Sequence, residues 1–235
     1  MNIGELLYEG KAKKVYLTDD ADQVVVDYKD DATAFNGVKK GTITGKGVVN
    51  NKMSNFLFGY LEKNGVPTHF IKEIDDRKTL VKKVRIVPLE VIIRNIAAGS
   101  FSKRYGVAEG TALLNPTLEF SYKKDELNDP LLNETHALAL GLATKDEIDR
   151  ISAMSYKIND LLTAFFKSVG VTLVDFKLEF GKYKDQIVLA DEISPDTCRF
   201  WDAATGVKLD KDRFRFDLGD VDSGYKELWK RLGLH

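Results

Sequence analysis

Residues 173–181 read LVDFKLEFG, and the strict alternation leaves little choice of local structure. Val174, Phe176, Leu178 and Phe180 fall on one parity, and Asp175, Lys177 and Glu179 on the other. Side chains alternate between the faces of a strand, so one face is apolar and the other carries two carboxylates and an ammonium. A second apolar run follows and ends in Asp191 and Glu192, ahead of Pro195, Asp196 and Arg199. Residues 181–186 read as a turn, so 172–180 and 187–193 are expected to form a hairpin. Register then decides the chemistry, because a one-residue slip exchanges the faces. A five-residue loop, 182–186, sets Lys177 opposite Asp191. It gathers Asp175, Lys177, Glu179 and Asp191 on one face, with Ile187 and Leu189 beside them as a wall for a flat base; this register is the expectation. A six-residue loop puts Glu192 in place of Asp191.

Three clustered carboxylates repel one another, and Lys177 supplies a single positive charge. Oxygen ligands without His or Cys point to Mg²⁺, which binds one or two carboxylates plus substrate phosphates. The other reading is a solvated polar face on which Lys177 bridges its neighbours.

Further segments carry anion-binding chemistry. In GKAKKVY (10–16) a glycine, small and cationic residues lie between two strand-like runs. Such a turn can fold over phosphates, although it has neither P-loop nor dinucleotide-fingerprint spacing and also fits an ordinary basic turn. Lys82 and Lys83 fall in a later strand, whose alternation sends one of them inward. In VPLEVIIRNIAAGS (87–100), Glu90 and Arg94 share a parity inside a run that otherwise looks buried, and buried charge must be paired or liganded. Arg94 offers a fork for phosphate or carboxylate, and Gly99-Ser100 opens a short helix with free N–H groups; alternatively Glu90 and Arg94 pair and Ser100 is an ordinary cap. Arg199 reads equally as a second fork or as a surface arginine. His69, His136 and His235 lack metal-pair spacing, and Cys198 has no visible histidine partner, so none is read as a ligand or nucleophile.

The rest of the chain supplies the scaffold. Short strands break at Gly10 and at the acidic turn 19–22, and a loop with Gly37, Gly41, Gly45 and Gly47 follows. A helix is expected over 48–63, with Phe56, Leu57, Tyr60 and Leu61 inward. Strands follow at 68–74, 79–86 and 89–95, with Pro88 at an edge or hinge. Residues 97–133 read as loop-rich. A long helix begins at the Thr144–Glu147 capping box, carries Ile148, Ile151, Met154, Ile158, Leu161, Leu162 and Phe165 at helical spacing, and ends at Gly170. A last helix covers 225–232. This order implies an α+β fold, with a small β-rich lobe over 1–87, a larger mixed lobe over 88–235 and a ligand cleft between them.

Composition narrows the function classes. The 235 residues are 43% hydrophobic and 30% charged, as in soluble globular proteins. Lys plus Arg number 35 against 36 Asp plus Glu, which argues against nucleic-acid binding through a general basic field but permits a local cationic pocket. A single cysteine allows no intrachain disulfide and fits the cytoplasm. The sequence shows no apolar signal core and no run long enough for a membrane span, so neither export nor a membrane partner is expected.

LVDFKLEFG and VPLEVIIRNIAAGS closely resemble the two signature segments of the SAICAR synthetase (phosphoribosylaminoimidazole-succinocarboxamide synthase) family of purine biosynthesis. YEGKAKKVY (8–16), LVKK (80–83), NDPLLNE (128–134) and DEISPDTCRFWD (191–202) extend the resemblance over nearly the whole chain. It implies a two-lobed α+β fold, commonly homodimeric, whose N-terminal lobe is loosely like that of kinases. The implied activity joins the carboxylate of carboxyaminoimidazole ribonucleotide to the amine of L-aspartate, with ATP and Mg²⁺. By matching motif, Lys11, Ala12 and Lys13 would lie along the ATP phosphates, with Lys82 nearby and Lys123 reaching the nucleotide. Glu179 and Asp191 would hold Mg²⁺, with Asp129 near metal or substrate. Arg94, Ser100 and Arg199 would bind the ribonucleotide, with Asp175 and Lys177 beside them; Lys13, Lys177 and Asp175 would be catalytic. Asn36 stands where some relatives carry Asp, and no role is carried over to it. The alternatives are a small-molecule kinase that stops at phosphoryl transfer and a non-catalytic nucleotide sensor; an RNA-binding module fits the neutral charge least.

Overall fold

In the computed structural model, which describes residues 2–34, 39–219 and 221–234, the first strands fall where the sequence breaks predict them. They are β1 (Ile3–Glu9), β2 (Lys13–Thr18) and β3 (Gln23–Tyr28). The glycine-bearing segment that reads as a loop is partly a hairpin, β4 (Asp31–Ala34) with β5 (Lys39–Thr42). It leads into α1 (Lys46–Lys63). Gly45, at φ 79°, makes the entry turn, a left-handed conformation that side chains disfavour. Asp30 accepts hydrogen bonds from the Gly45 and Gly47 N–H groups at 3.2 and 2.9 Å, satisfying donors at the start of the helix. Arg77 grips the same carboxylate through two 2.9 Å bonds and, with those N–H groups, holds its pKa down at about 2.

β6 (Phe70–Glu73) and β7 (Lys78–Lys82) complete an antiparallel sheet of order β1-β2-β3-β7-β6. The two strands expected at 79–86 and 89–95 are divided differently: β7 stops at Lys82, and β8 (Arg85–Ile96) runs straight through Pro88. The proline is tolerated because the neighbouring strand shifts register between Glu179 and Gly181, so no ladder donor is needed there. The stretch that reads as loop-rich contains α2 (Gly99–Tyr105), the 11-residue β9 (Ala112–Tyr122) and β10 (Leu131–Leu132).

α3 (Glu134–Ala139) and α4 (Lys145–Ser168) follow. The expected capping box closes α4: Glu147 N–H donates to Thr144 Oγ1 at 3.3 Å and Thr144 N–H to Glu147 Oε2 at 2.9 Å. β11 (Val171–Tyr183), β12 (Gln186–Ala190) and β13 (Cys198–Asp202) lead to α5 (Asp212–Arg215) and α6 (Val221–Arg231). The second sheet has the order β10-β9-β8-β11-β12, with β13 also on β11. The main core packs Ile148, Ile151, Ile158, Leu162 and Phe166 of α4 and Met53, Leu57, Phe58 and Leu61 of α1 with this sheet. Phe56, expected inward, is 36% exposed. Among the described residues no helix is long and apolar enough to cross a membrane.

The β11–β12 hairpin corrects the expected register. Glu179 opposes Ala190 and Tyr183 opposes Gln186, so the turn is only Lys184-Asp185 and every pair moves by one. Leu189 then opposes the core residue Phe180, and both Ile187 and Leu189 are buried in the main core rather than lining a ligand wall. The pairing has the parity of the six-residue alternative.

Candidate functional site

The apolar face of the first sheet and the charged face of β8 and β11 enclose a cleft of about 910 Å³. Val15, Val24, Val26 and Val81 line its first wall. Every residue assigned a site role by matching motif opens onto it. Lys11, Ala12 and Lys13 come from the β1–β2 turn, Lys82 from the end of β7, Arg94 from β8 and Ser100 from α2. Lys123 and Asp129 follow β9, Asp175, Lys177 and Glu179 lie on β11, Asp191 follows β12, and Arg199 lies on β13. Lys83 lines the cleft as well as Lys82, against the expected alternation, because β7 has already ended. Asn36 lies outside the described residues.

Asp191 reaches the charged face despite the corrected register. Its φ of 60° breaks the strand alternation after Ala190, and its carboxylate meets Lys13 and, at 3.3 Å, Lys177. Lys177 also lies 2.5 Å from Glu179 and 3.5 Å from Glu90, and Lys123 is 2.9 Å from Glu179. Lys13 reaches Glu192 at 3.0 Å. Positive and negative groups therefore alternate along the cleft floor. Burial would lower the Lys177 pKa, but Glu179, Asp191 and Glu90 outweigh it and hold it well above the usual lysine value. Burial would raise the Asp191 pKa, but Lys13 and Lys177 drive it well below the carboxylate range. Burial pushes Glu90 up.

At the other end, the buried Arg94 donates to Glu119 at 3.0 and 3.1 Å, to Asp175 at 2.8 Å and to Ser100 at 3.1 Å. Glu90 and Arg94 share a strand face but take different partners. Arg199 donates to Asp175 at 2.8 and 3.0 Å and to Asp212 at 2.8 Å. Its guanidinium lies against Gly99, where a Cβ would come within 2.4 Å of Nη2. Gly99 (φ 53°) thus serves both the turn into α2 and this contact.

Asp129 lines the same cleft as Glu179 and Asp191 and accepts the Lys124 N–H at 2.8 Å. Among the described residues no three His, Cys, Asp or Glu side chains gather as a ready metal cage. Sequence reading passed over Glu119, Lys211, Asp212 and Arg215. The last three belong to KLDKDRFRF, whose dense charges look like a solvated surface; Arg215 and Lys211 line the cleft, and Asp212 is buried behind it. Cys198 is buried and burial raises its thiol pKa, consistent with an inert thiol.

His69 is buried edge-on to Phe58, ring centroids 5.2 Å apart. Burial, reinforced by the Lys13 charge, pushes its pKa down from 6.5 to about 3. The stability it contributes as a neutral ring is complete above pH 6.5 and is lost as pH falls toward 3. Asp210, raised by burial and by Asp212 to about 7, works in the opposite sense: its contribution is lost as pH rises through 7. The two slopes oppose each other in the wild type, so the test is a difference. The stability of His69→Phe relative to wild type is expected to rise by up to ~1.4 kcal/mol per pH unit below 6.5, in denaturant titrations. A difference that does not change with pH would refute a buried neutral imidazole.

Comparison with known proteins places the chain in a family. A sequence profile described as SAICAR synthetase matches residues 6–232. The phosphoribosylaminoimidazole-succinocarboxamide synthase of Lachnoclostridium phytofermentans is 65% identical over 230 residues, covering 98% of each chain. The crystal structure of that synthase from Ehrlichia chaffeensis superposes with a TM-score of 0.96 at 48% identity, covering 98% of this chain and 99% of the other. A SAICAR synthetase in complex with ADP superposes at 0.94, with 50% identity and 97% of each chain covered. With the fold and nearly the full length of the sequence in agreement, the chain belongs to the SAICAR synthetase family.

Proposed function

We propose that this chain is an ATP-dependent ligase of purine biosynthesis that joins the carboxylate of carboxyaminoimidazole ribonucleotide to the amine of L-aspartate, releasing ADP and phosphate. The carrying observation is the single cleft that sets a valine-lined wall, the buried Lys13–Asp191–Lys177–Glu179 chain and the Arg94–Asp175–Arg199 group side by side. The first suits a base, the second a phosphoryl group in transfer, and the third a ribonucleotide phosphate or carboxylate. A relative 50% identical to this chain is described in complex with ADP, which favours the nucleotide reading.

In this reading residues 1–87 form the nucleotide lobe and 88–235 the substrate and metal lobe. Lys11, Ala12, Lys13, Lys82 and Lys123 attend the nucleotide. Arg94, Ser100 and Arg199 hold the ribonucleotide. The donor set at Glu179 and Asp191 suits Mg²⁺: two hard oxygen ligands that meet at one ammonium, with substrate phosphates to complete the shell and Asp129 available nearby. When bound, Mg²⁺ supplies charge neutralisation between two anionic substrates. A cytoplasmic homodimer is carried forward on the family resemblance.

The chain's own groups act as fixed charges. Lys177 keeps its proton because its pKa lies well above the usual lysine value, so it cannot serve as a base; its role is to draw anionic oxygens together. Asp191 stays ionised for the converse reason and cannot donate a proton. Asp175 holds Arg94 and Arg199 in place, each at 2.8 Å. An amine does not displace oxide from a carboxylate at a useful rate. The substrate carboxylate oxygen therefore attacks the γ-phosphorus, the bond to ADP breaks, and the aspartate nitrogen then displaces phosphate from the acyl carbon, shedding its protons to solvent.

An ADP-release assay with each substrate omitted in turn tests this. ADP is expected only when both aspartate and the ribonucleotide are present, with ¹⁸O moving from substrate carboxylate to phosphate. Full ADP release without aspartate would identify a kinase instead.

A further inference from the structure

We propose that Lys211 and Arg215 form the subsite for a carboxylate of the amino-acid substrate. The inference rests on the ligase reading above and names the part of the cleft that reading leaves unassigned. Both residues line the same cleft as Asp191 and Arg199.

The argument is one of unbalanced charge. Lys211 Nζ lies 3.3 Å from Asp196 Oδ2, but Lys46 Nζ already occupies that oxygen at 2.7 Å. The Lys46 side chain has no solvent exposure, so one carboxylate serves two buried ammonium groups. The same sharing recurs beside it. Asp212 accepts from Arg215 at 2.6 Å through one oxygen and from Arg199 at 2.8 Å through the other. Asp175 adds a charge at Arg199, and Arg94, which shares Asp175, has Glu119 as a second partner, so the shortfall of anion falls at Lys211. A buried cation without a full counter-charge is costly unless a ligand completes it. Of the pair, Lys211 is the one that faces the cleft. Burial, with Lys46 and Arg215 nearby, lowers its pKa against the pull of Asp196, as expected of an ammonium short of an anion. Arg215 contributes a planar fork suited to a carboxylate.

The substrates' chemistry selects the occupant. Triphosphate is assigned to Lys11 and Lys13, and the ribonucleotide's phosphate to Arg94, Ser100 and Arg199. The ribonucleotide's carboxylate must lie against the triphosphate, at the Lys177–Glu179–Asp191 end, to be phosphorylated. The anionic groups left over are the two carboxylates of aspartate, whose amine must reach the acyl carbon within this cleft. Asparagine lacks one of these charges, and the same corner would discriminate against it.

Aspartate saturation in the ADP-release assay, in full-length protein, tests the subsite. Lys211→Met is expected to raise the KM for aspartate at least tenfold, with the KM values for ATP and ribonucleotide within about twofold of wild type and kcat at saturating aspartate within a few-fold. Lys211→Arg should recover part of the loss. Tyr225→Phe removes a 3.0 Å bond to Asp196 from outside the cleft. It should lower the melting temperature without moving the aspartate KM, which separates structural loss from binding loss. If Lys211→Met does not fold, Arg215→Gln carries the test with the same expectation. An unchanged aspartate KM, or an equal rise in the ribonucleotide KM, overturns the subsite while an aspartate-dependent wild type leaves the ligase standing. A wild type indifferent to aspartate overturns both.

Discussion

Replacing Glu179 by Gln should lower kcat by roughly 10²–10³ while the protein stays folded. The residue is 3% exposed, and its Oε1 accepts from Lys177 at 2.5 Å and Lys123 at 2.9 Å. A glutamine oxygen can accept from the same two ammonium groups, so packing and most hydrogen bonding survive. What disappears is a full negative charge at the point where the proposed cation and the triphosphate would meet. Lys13, Lys123 and Lys177 would then crowd the cleft floor with Asp191, Glu192 and Glu90 as their remaining counter-charges. The loss should fall on kcat more than on the ribonucleotide KM, because the charge acts on the transferring phosphoryl group rather than at Arg94. Steady-state kinetics beside a thermal melt would decide it. A folded Glu179→Gln protein with near-normal turnover would reject the catalytic reading and favour a nucleotide sensor.

Legibility varied with the kind of signal. α4 is readable because its apolar stripe is long and its start is marked by a capping box that closes in the structure. β9 was missed because Asn115, Pro116 and Thr117 interrupt any alternation and four of its first five residues face solvent. The β11–β12 register was missed because Lys184-Asp185 lacks the glycine that usually marks a two-residue turn. Lys184 adopts the required positive φ, 53°, without one. At the site, Asp175, Lys177 and Glu179 are legible from strand parity alone. Asp191 arrives through a left-handed residue that parity cannot anticipate. Lys123 and Asp129 were reachable only through family resemblance. Lys211, Asp212 and Arg215 were hidden because KLDKDRFRF has the composition of a surface, and only its fold back onto β13 shows that these charges are shared, with Lys211 and Asp212 buried.

The charged groups of the cleft form two chains that behave differently under mutation. Around Lys177 each contact is made by an ammonium, a point charge whose three donors can turn toward any acceptor in reach. Around Arg94 the geometry is fixed, because a single guanidinium serves acceptors in three directions: Glu119 Oε2, Asp175 Oδ2 and Ser100 Oγ. Arg94→Met removes the cation from a site 3% exposed. Glu119 is left with Arg104 at 3.6 Å and Asp175 with Arg199. The cost to folding is expected to be about 3–5 kcal/mol, as for breaking a buried pair from one side. Arg94→Lys keeps the charge but has one nitrogen in place of the fork and cannot reach all three acceptors. It should fold with a smaller loss and raise the ribonucleotide KM by roughly 10², which corresponds to about 2.7 kcal/mol of binding. The KM values for ATP and aspartate should move far less. Denaturant titrations of both variants, with ribonucleotide saturation of Arg94→Lys, separate the structural share from the recognition share. A lysine variant with a wild-type ribonucleotide KM would show that Arg94 only braces the sheet, and would leave Arg199 and Ser100 to hold the substrate.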